Sequence, residues 1–253
     1  MTTFHWYGYA GGSGTIRGAQ MAAHYGGDDC DGHGSGVHVY VKIEPPAKRP
    51  AHSYLDVIDG VERVPWLKRH PEVGVIAASR SEETYLRGVL GRDDIWFIPQ
   101  HHCNYERARR GSGTIETAGV IGGRGAIRCN VKALRRTLAG LGVSFHWLRR
   151  YASRLDVAEF YAKLDVQIVW RTEDRPWKNP LKLVNAMAFG IPTIAYPETA
   201  YQEVEGYYWP ARTMADVADA VAELRRGYDA GRLIARTEEY HIEHVAKLYE
   251  ALT

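Results

Sequence analysis

Lys182 is the residue best placed to meet an anion. It lies in the stretch Trp177-Lys178-Asn179-Pro180-Leu181-Lys182-Leu183-Val184-Asn185-Ala186-Met187-Ala188-Phe189-Gly190. That stretch reads as a loop, a helix over 181–189 with a lysine in its first turn, and a glycine stop, followed by an apolar strand over 192–196. A helix N-terminus carries free N–H groups and a partial positive charge, so it favours a phosphate. Lys182 adds a full charge there. Asn185 lies almost a turn further on, on a nearby face, where its amide reaches toward a ribose hydroxyl. From the helix pattern alone, a solvated lysine and a surface asparagine explain the same residues.

A second anion-type feature is Gly122-Gly123-Arg124-Gly125, which follows an apolar strand over 118–121. Glycines let backbone amides approach a diphosphate, and arginine binds it bidentately. Ligands of open α/β sheets bind at the carboxyl ends of strands, where this turn falls. Between Glu116 and Asp156 there is no acidic residue, whereas Arg124, Arg128, Lys132, Arg135, Arg136, Arg149, Arg150 and Arg154 all lie there. That segregation points to a local anion site, and a nucleic-acid contact is an open alternative. Gly11-Gly12-Ser13-Gly14 with Arg17 forms a comparable turn after the first strand but lacks the dinucleotide-binding glycine order. Asp28-Asp29-Cys30-Asp31-Gly32-His33 suggests a metal, but zinc needs four ligands and no second paired motif exists, so a solvated turn is preferred and no metal is expected. A carboxylate base needs a strand end. Asp59, beside Gly60, is chosen by position over Asp56 and Glu44. His101-His102 follows a strand over 95–98, and a histidine there is a second candidate base or phosphate ligand.

The stretch from Lys182 to Ile194 resembles the donor-site helix of GT-B glycosyltransferases, roughly Lys-Leu-x-x-Ala-Met-Ala-x-Gly-x-Pro-x-Ile. Looser resemblance covers the whole chain. It implies two Rossmann-like domains facing a cleft, a donor-binding C-terminal half, and a final helix crossing back to the N-terminal domain. The Gly12 and Arg17 turn would then face the cleft near acceptor and donor phosphates, and His102 would stand at the domain junction. The retaining subgroup carries a Glu-x7-Glu pair, whereas Trp177 and Asn185 occupy the aligned positions here, so the reading leans to inversion. The implied activity is transfer of a sugar from a nucleoside-diphosphate sugar, UDP-linked by expectation, to an acceptor hydroxyl without a cofactor or metal. Gly123, Arg124 and Lys182 would hold the diphosphate, Asn185 and Glu203 the ribose, and Trp170 or Arg171 the nucleobase. Asp59 or His102 would be the base. The rivals are a sugar-nucleotide epimerase or hydrolase on the same fold, and a non-catalytic nucleotide- or nucleic-acid-binding module. A glycosyltransferase acting on a modified nucleic-acid base combines two of these readings.

The elements that must position these groups alternate short apolar runs with helical patterns, an α/β signature. Strands are expected over 4–9, 37–43, 54–59, 74–78, 95–98, 118–121, 143–147, 166–170 and 192–196. Helices are expected over 16–25, 81–90, 130–141, 157–164, 181–189, 213–226 and 238–252. The arginine- and glycine-rich segment 104–114 has no apolar period and reads as a linker. The domains are thus an acceptor-side half over 1–103 and a nucleotide-sugar half over 115–237, with the last helix over 238–253 on the first half.

Composition permits this. The chain has 253 residues, of which 45% are hydrophobic and 25% charged, which excludes disorder. A net charge of +2 excludes a uniformly basic coat. Cys30, Cys103 and Cys129 cannot all pair internally, so a reducing, cytoplasmic compartment is expected. No signal peptide and no apolar run of the ~20 residues a membrane span needs are recognised.

Overall fold

The computed structural model describes residues 2–6, 11–26, 36–110 and 113–252. The Asp-rich segment around Asp29 and Asp31 lies outside them. Two compact α/β units divide the chain: the first comprises 1–101, 175–179 and 242–253, the second 102–174 and 180–241. Each holds one five-stranded sheet in which every pairing is parallel.

In the first unit the strands are β1 (Thr2–His5), β2 (Val37–Val41), β3 (Ser53–Asp56), β4 (Gly74–Ala77) and β5 (Ile95–Phe97), in that spatial order. Val39, Leu55 and Val75 are fully buried, as expected of a parallel sheet covered on its faces. The helix Arg80–Leu90 starts one residue earlier than its apolar period suggests, because Ser79 rather than Ser81 is the cap: its hydroxyl accepts the Glu82 N–H at 3.0 Å. Residues 11–14 form a helical turn instead of an open loop, continued by a π-helical turn, Thr15–Ala19, and the helix Gln20–His24. The C-terminal helix, Ile242–Glu250, packs on Gln20–His24 within this unit, and the Tyr25 hydroxyl donates to the Ala246 carbonyl at 2.6 Å.

In the second unit the strands are β6 (Thr117–Ile121), β7 (Ser144–Leu148), β8 (Val166–Val169), β9 (Thr193–Ala195) and β10 (Trp209–Pro210), ordered β10-β9-β8-β6-β7. Its core includes Val120, Leu134, Ile168, Ile194 and Val221. Capping follows side-chain chemistry. Asn130 accepts the Ala133 N–H at 3.0 Å, and Thr213 with Asp216 forms a reciprocal capping box for Met214–Arg226. Gly190, at φ +74°, ends the helix Leu181–Ala188 in the left-handed region that disfavours a side chain. The single helix expected over 238–252 is instead a 3-10 turn, Glu238–Tyr240, and a helix, Ile242–Glu250, and a further helix, Ala230–Thr237, precedes them.

The segment 104–110, read from sequence as linker, is tied to the second unit by hydrogen bonds that no apolar period reveals. The Asn104 amide donates to the Ala108 and Ala188 carbonyls, each at 2.8 Å. The Arg110 N–H donates to the Phe189 carbonyl at 2.9 Å, and its guanidinium pairs with Asp165 at 2.9 Å. No described helix is long and apolar enough to cross a membrane.

Candidate functional site

In the second unit the residues with anion-binding chemistry converge. At the carboxyl end of β6 the chain turns at Gly122, whose φ of +108° suits glycine alone. A Cβ there would stand 3.0 Å from the Ala126 methyl and 3.6 Å from the Lys182 ammonium nitrogen. Lys182 therefore reaches from the first turn of Leu181–Ala188 to the glycine turn. The turn itself is clamped: Gly122 N–H donates to the Leu148 carbonyl and the Trp147 indole N–H donates to the Gly122 carbonyl, both at 2.8 Å. Gly123, Arg124 and Gly125 are exposed. The helix begins at Leu181, and Pro180 at its N-cap position has no side chain able to accept from the first N–H groups. A helix terminus, a lysine and a glycine turn at one strand end make an anion cradle.

The nucleoside-side candidates are placed differently. Trp170 is 3% exposed and belongs to the apolar core, so its ring is not available to a nucleobase. Arg171 has its guanidinium fork on Glu198, at 2.9 and 2.7 Å, with the Tyr201 hydroxyl at 3.2 Å. Burial works against that charge, but Tyr201 and Glu198 more than restore it and hold the arginine firmly protonated. Asn185 is 8% exposed and its amide oxygen accepts the Cys103 N–H at 2.8 Å, a packing bond rather than a free ribose contact. Glu203 is half-buried, and its backbone carbonyl receives the Arg236 guanidinium. In each case the apolar run or helix pattern located the element but not the partner that occupies the polar group.

His102 is 3% exposed. Its Nδ1 accepts the Asn104 N–H at 3.2 Å, and its ring stands edge-on to His241 at 5.4 Å. His101 is equally buried and donates from Nε2 to the Ile16 carbonyl at 2.8 Å. Each histidine is packed and hydrogen-bonded within its own unit, so the base expected at His102 is corrected to a buried structural residue. Burial also pushes the Cys103 thiol up to about 12, which leaves it inert.

Arg17 is likewise corrected. It is fully buried in the first unit, not turned to a ligand. Its Nε donates to Asp56 Oδ2 at 2.7 Å, Nη2 lies 2.6 Å from the same oxygen, and Nη1 donates to the Ile98 and Pro99 carbonyls, each at 2.7 Å. The Tyr249 hydroxyl completes the group at 3.1 Å from Asp56 Oδ2. The π-helical turn projects the guanidinium inward, joining the ends of β3 and β5 to the C-terminal helix. Gly12 is exposed on the preceding turn.

Asp59 is half-buried. It follows β3 with Ile58, and both take left-handed φ values, +59° and +29°. Non-glycine residues adopt these at a cost, and such strain collects at functional sites. The Asp59 Oδ2 pairs with the Lys178 ammonium at 2.9 Å, while Oδ1 is buried without a hydrogen-bond partner among the described residues. Its N–H donates to Glu82 Oε1 at 2.9 Å, and Ala78 N–H donates to Glu82 Oε2 at 2.7 Å. Glu82 is 1% exposed, and burial pushes its carboxyl up to about 8 despite those bonds. Sequence reading passed over Glu82 and Lys178. The signal for Glu82 was present: Ser79-x-x-Glu82 is a capping-box pattern, here with the glutamate diverted to two loop amides. Among the described residues no group of three or more His, Cys, Asp and Glu is placed to hold a metal ion.

This pair of parallel α/β units is the fold of GT-B glycosyltransferases. A glycosyltransferase from Rickettsia africae superposes with a TM-score of 0.59 at 11% identity, covering 99% of this chain and 98% of that one. TarM gives 0.59 at 14% identity over 87% of this chain and 51% of its own, so the present chain spans about half the length of TarM. Anabaena HepE, solved with UDP and glucose, gives 0.53 at 14% identity over 83% of this chain and 70% of its own. No family model matches the sequence, and no curated protein matches it.

Proposed function

We propose that the chain transfers a glycosyl group from a nucleoside-diphosphate sugar to an acceptor hydroxyl. The observation that carries the reading is the Lys182 ammonium, in the first turn of its helix, beside the Gly122 turn. Departure of a nucleoside diphosphate leaves negative charge on its oxygens. Lys182, the Gly123 N–H, Arg124 and the helix dipole supply the counter-charge, which is electrostatic stabilisation of the leaving group without a metal ion. The glycosyltransferase fold supports the class of reaction, and the UDP held by HepE makes UDP the first donor nucleotide to try. Asp59 is the proposed base, since it is a carboxylate on a strained turn and only half-buried, whereas His102 is 3% exposed. It takes the acceptor proton as the oxygen attacks the anomeric carbon, with inversion. The test is product analysis with UDP-sugars in the presence of EDTA, with and without acceptor. Acceptor-dependent UDP release that survives the chelator supports the reading. Turnover of donor alone, or loss of activity restored by Mn²⁺, contradicts it.

A further inference from the structure

Among the described residues, six arginines of the second unit pair with carboxylates. Arg107 pairs with Glu238, Arg110 with Asp165, Arg128 with Glu173, Arg154 with Glu106, Arg171 with Glu198 and Arg236 with Glu239. One surface gathers cations outside such pairs. Arg124, Lys132, Arg135, Arg136, Arg149 and Arg150 are all exposed, and among the described residues none has a carboxylate within ion-pair distance.

These cations form a continuous face. Lys132, Arg135 and Arg136 have the i, i+3, i+4 spacing that puts them on one side of Val131–Gly140. That helix packs against β7, the outermost strand of its sheet, and the Arg135 guanidinium lies 5.2 Å over the Phe145 ring of β7. Further along the strand, Arg149 lies 4.1 Å over Trp147, whose indole is bonded to Gly122. The face thus runs from the helix, over β7, to the turn bearing Arg124. Tyr151, 46% exposed, follows Arg150 directly.

Holding so many like charges together without counter-ions disfavours the isolated fold, and a polyanion relieves the repulsion. Guanidinium groups stacked on rings keep their donor forks outward and are weakly hydrated, which suits bidentate phosphate binding. An exposed tyrosine beside the arginines adds a ring on which a base stacks. We propose that this face binds a single nucleic-acid strand and leads it to the Gly122 turn. Only the meaning of that end point, as the donor site, rests on the function proposed above.

The test measures fluorescence anisotropy of a labelled 20-nucleotide single-stranded DNA with the whole protein and no nucleotide sugar. Binding should weaken steeply with salt. In the Arg135→Ala/Arg136→Ala/Arg149→Ala variant, removal of three phosphate contacts should lower the log–log salt slope by about 2 and affinity by about tenfold or more. Circular dichroism and UDP binding should stay as in the parent, since these side chains hold neither the core nor the proposed diphosphate site. Failure of UDP binding alone would strike the transferase reading and leave this proposal standing. No binding at 50 mM salt, an unchanged slope in the variant, or equally tight binding of labelled polyglutamate would overturn it.

Discussion

Replacing Arg17 with methionine removes a guanidinium and keeps most of its apolar length. What remains is a buried Asp56 carboxylate with Oδ1 already unpartnered, and two carbonyls, of Ile98 and Pro99, without their donor. Breaking a buried ion pair from one side costs roughly 3–5 kcal/mol. At about 2–4 °C per kcal/mol for a chain of this size, the melting temperature should fall by roughly 6–20 °C. The assay is thermal unfolding by circular dichroism, with hydrogen exchange to show that loss of protection concentrates in the first unit. Burial raises the Asp56 carboxyl and Arg17 opposes that rise. Without Arg17 the folded carboxyl holds its proton above the unfolded value, so its stabilising protonated form is lost as pH rises. The deficit of the variant should therefore be larger at pH 8 than at pH 5. Arg17→Met/Asp56→Leu should recover at least half of the loss, because an apolar pair leaves no uncompensated charge. A single variant within about 1 kcal/mol of the parent, or a double variant worse than the single, would refute the assignment of Arg17 to the core.

Three further outcomes follow from the same geometry. The Glu82 carboxyl, raised to about 8, binds its proton more tightly folded than unfolded, so its contribution to stability falls from about pH 4.5 to 8. Glu82→Gln should flatten that slope, measured by urea unfolding at several pH values. Gly122→Ala forces a side chain into φ +108° and toward Ala126, and should weaken UDP binding in calorimetry with loss of about 1–3 kcal/mol of stability. Asp59→Asn should leave UDP affinity within about twofold while lowering turnover by about 10²-fold or more, the range of general-base loss; equal turnover would remove Asp59 from the chemistry.

Alternating apolar runs made the parallel strands legible, because fully buried strands read as continuous Val/Ile/Leu segments. Val37–Val41, Val166–Val169 and Thr193–Ala195 fall within the expected runs. Met214–Arg226 falls on the helix expected over 213–226, whereas the helix expected over 81–90 begins at Arg80 because Ser79 caps it. The two-residue strand Trp209–Pro210 and the helix Val64–Arg69 carry too little periodicity to be seen. At the site, Lys182 and Gly122 were legible because a helix start and a glycine turn are local features. Arg17, Asn185, Arg171 and His102 were not, since their partners lie 27 to 82 residues away or sit in loops. A polar residue read alone looks available, and only packing shows that Asp56, Cys103 N–H, Glu198 and Asn104 have claimed it.

Calorimetric titration of UDP into the parent and into Lys182→Ala is the most direct test of the second-unit cradle. Loss of one point charge at a diphosphate predicts weaker binding by about 1.5–3 kcal/mol, or about 10- to 150-fold, with the fold retained. Unchanged UDP affinity in a folded Lys182→Ala protein would contradict the account.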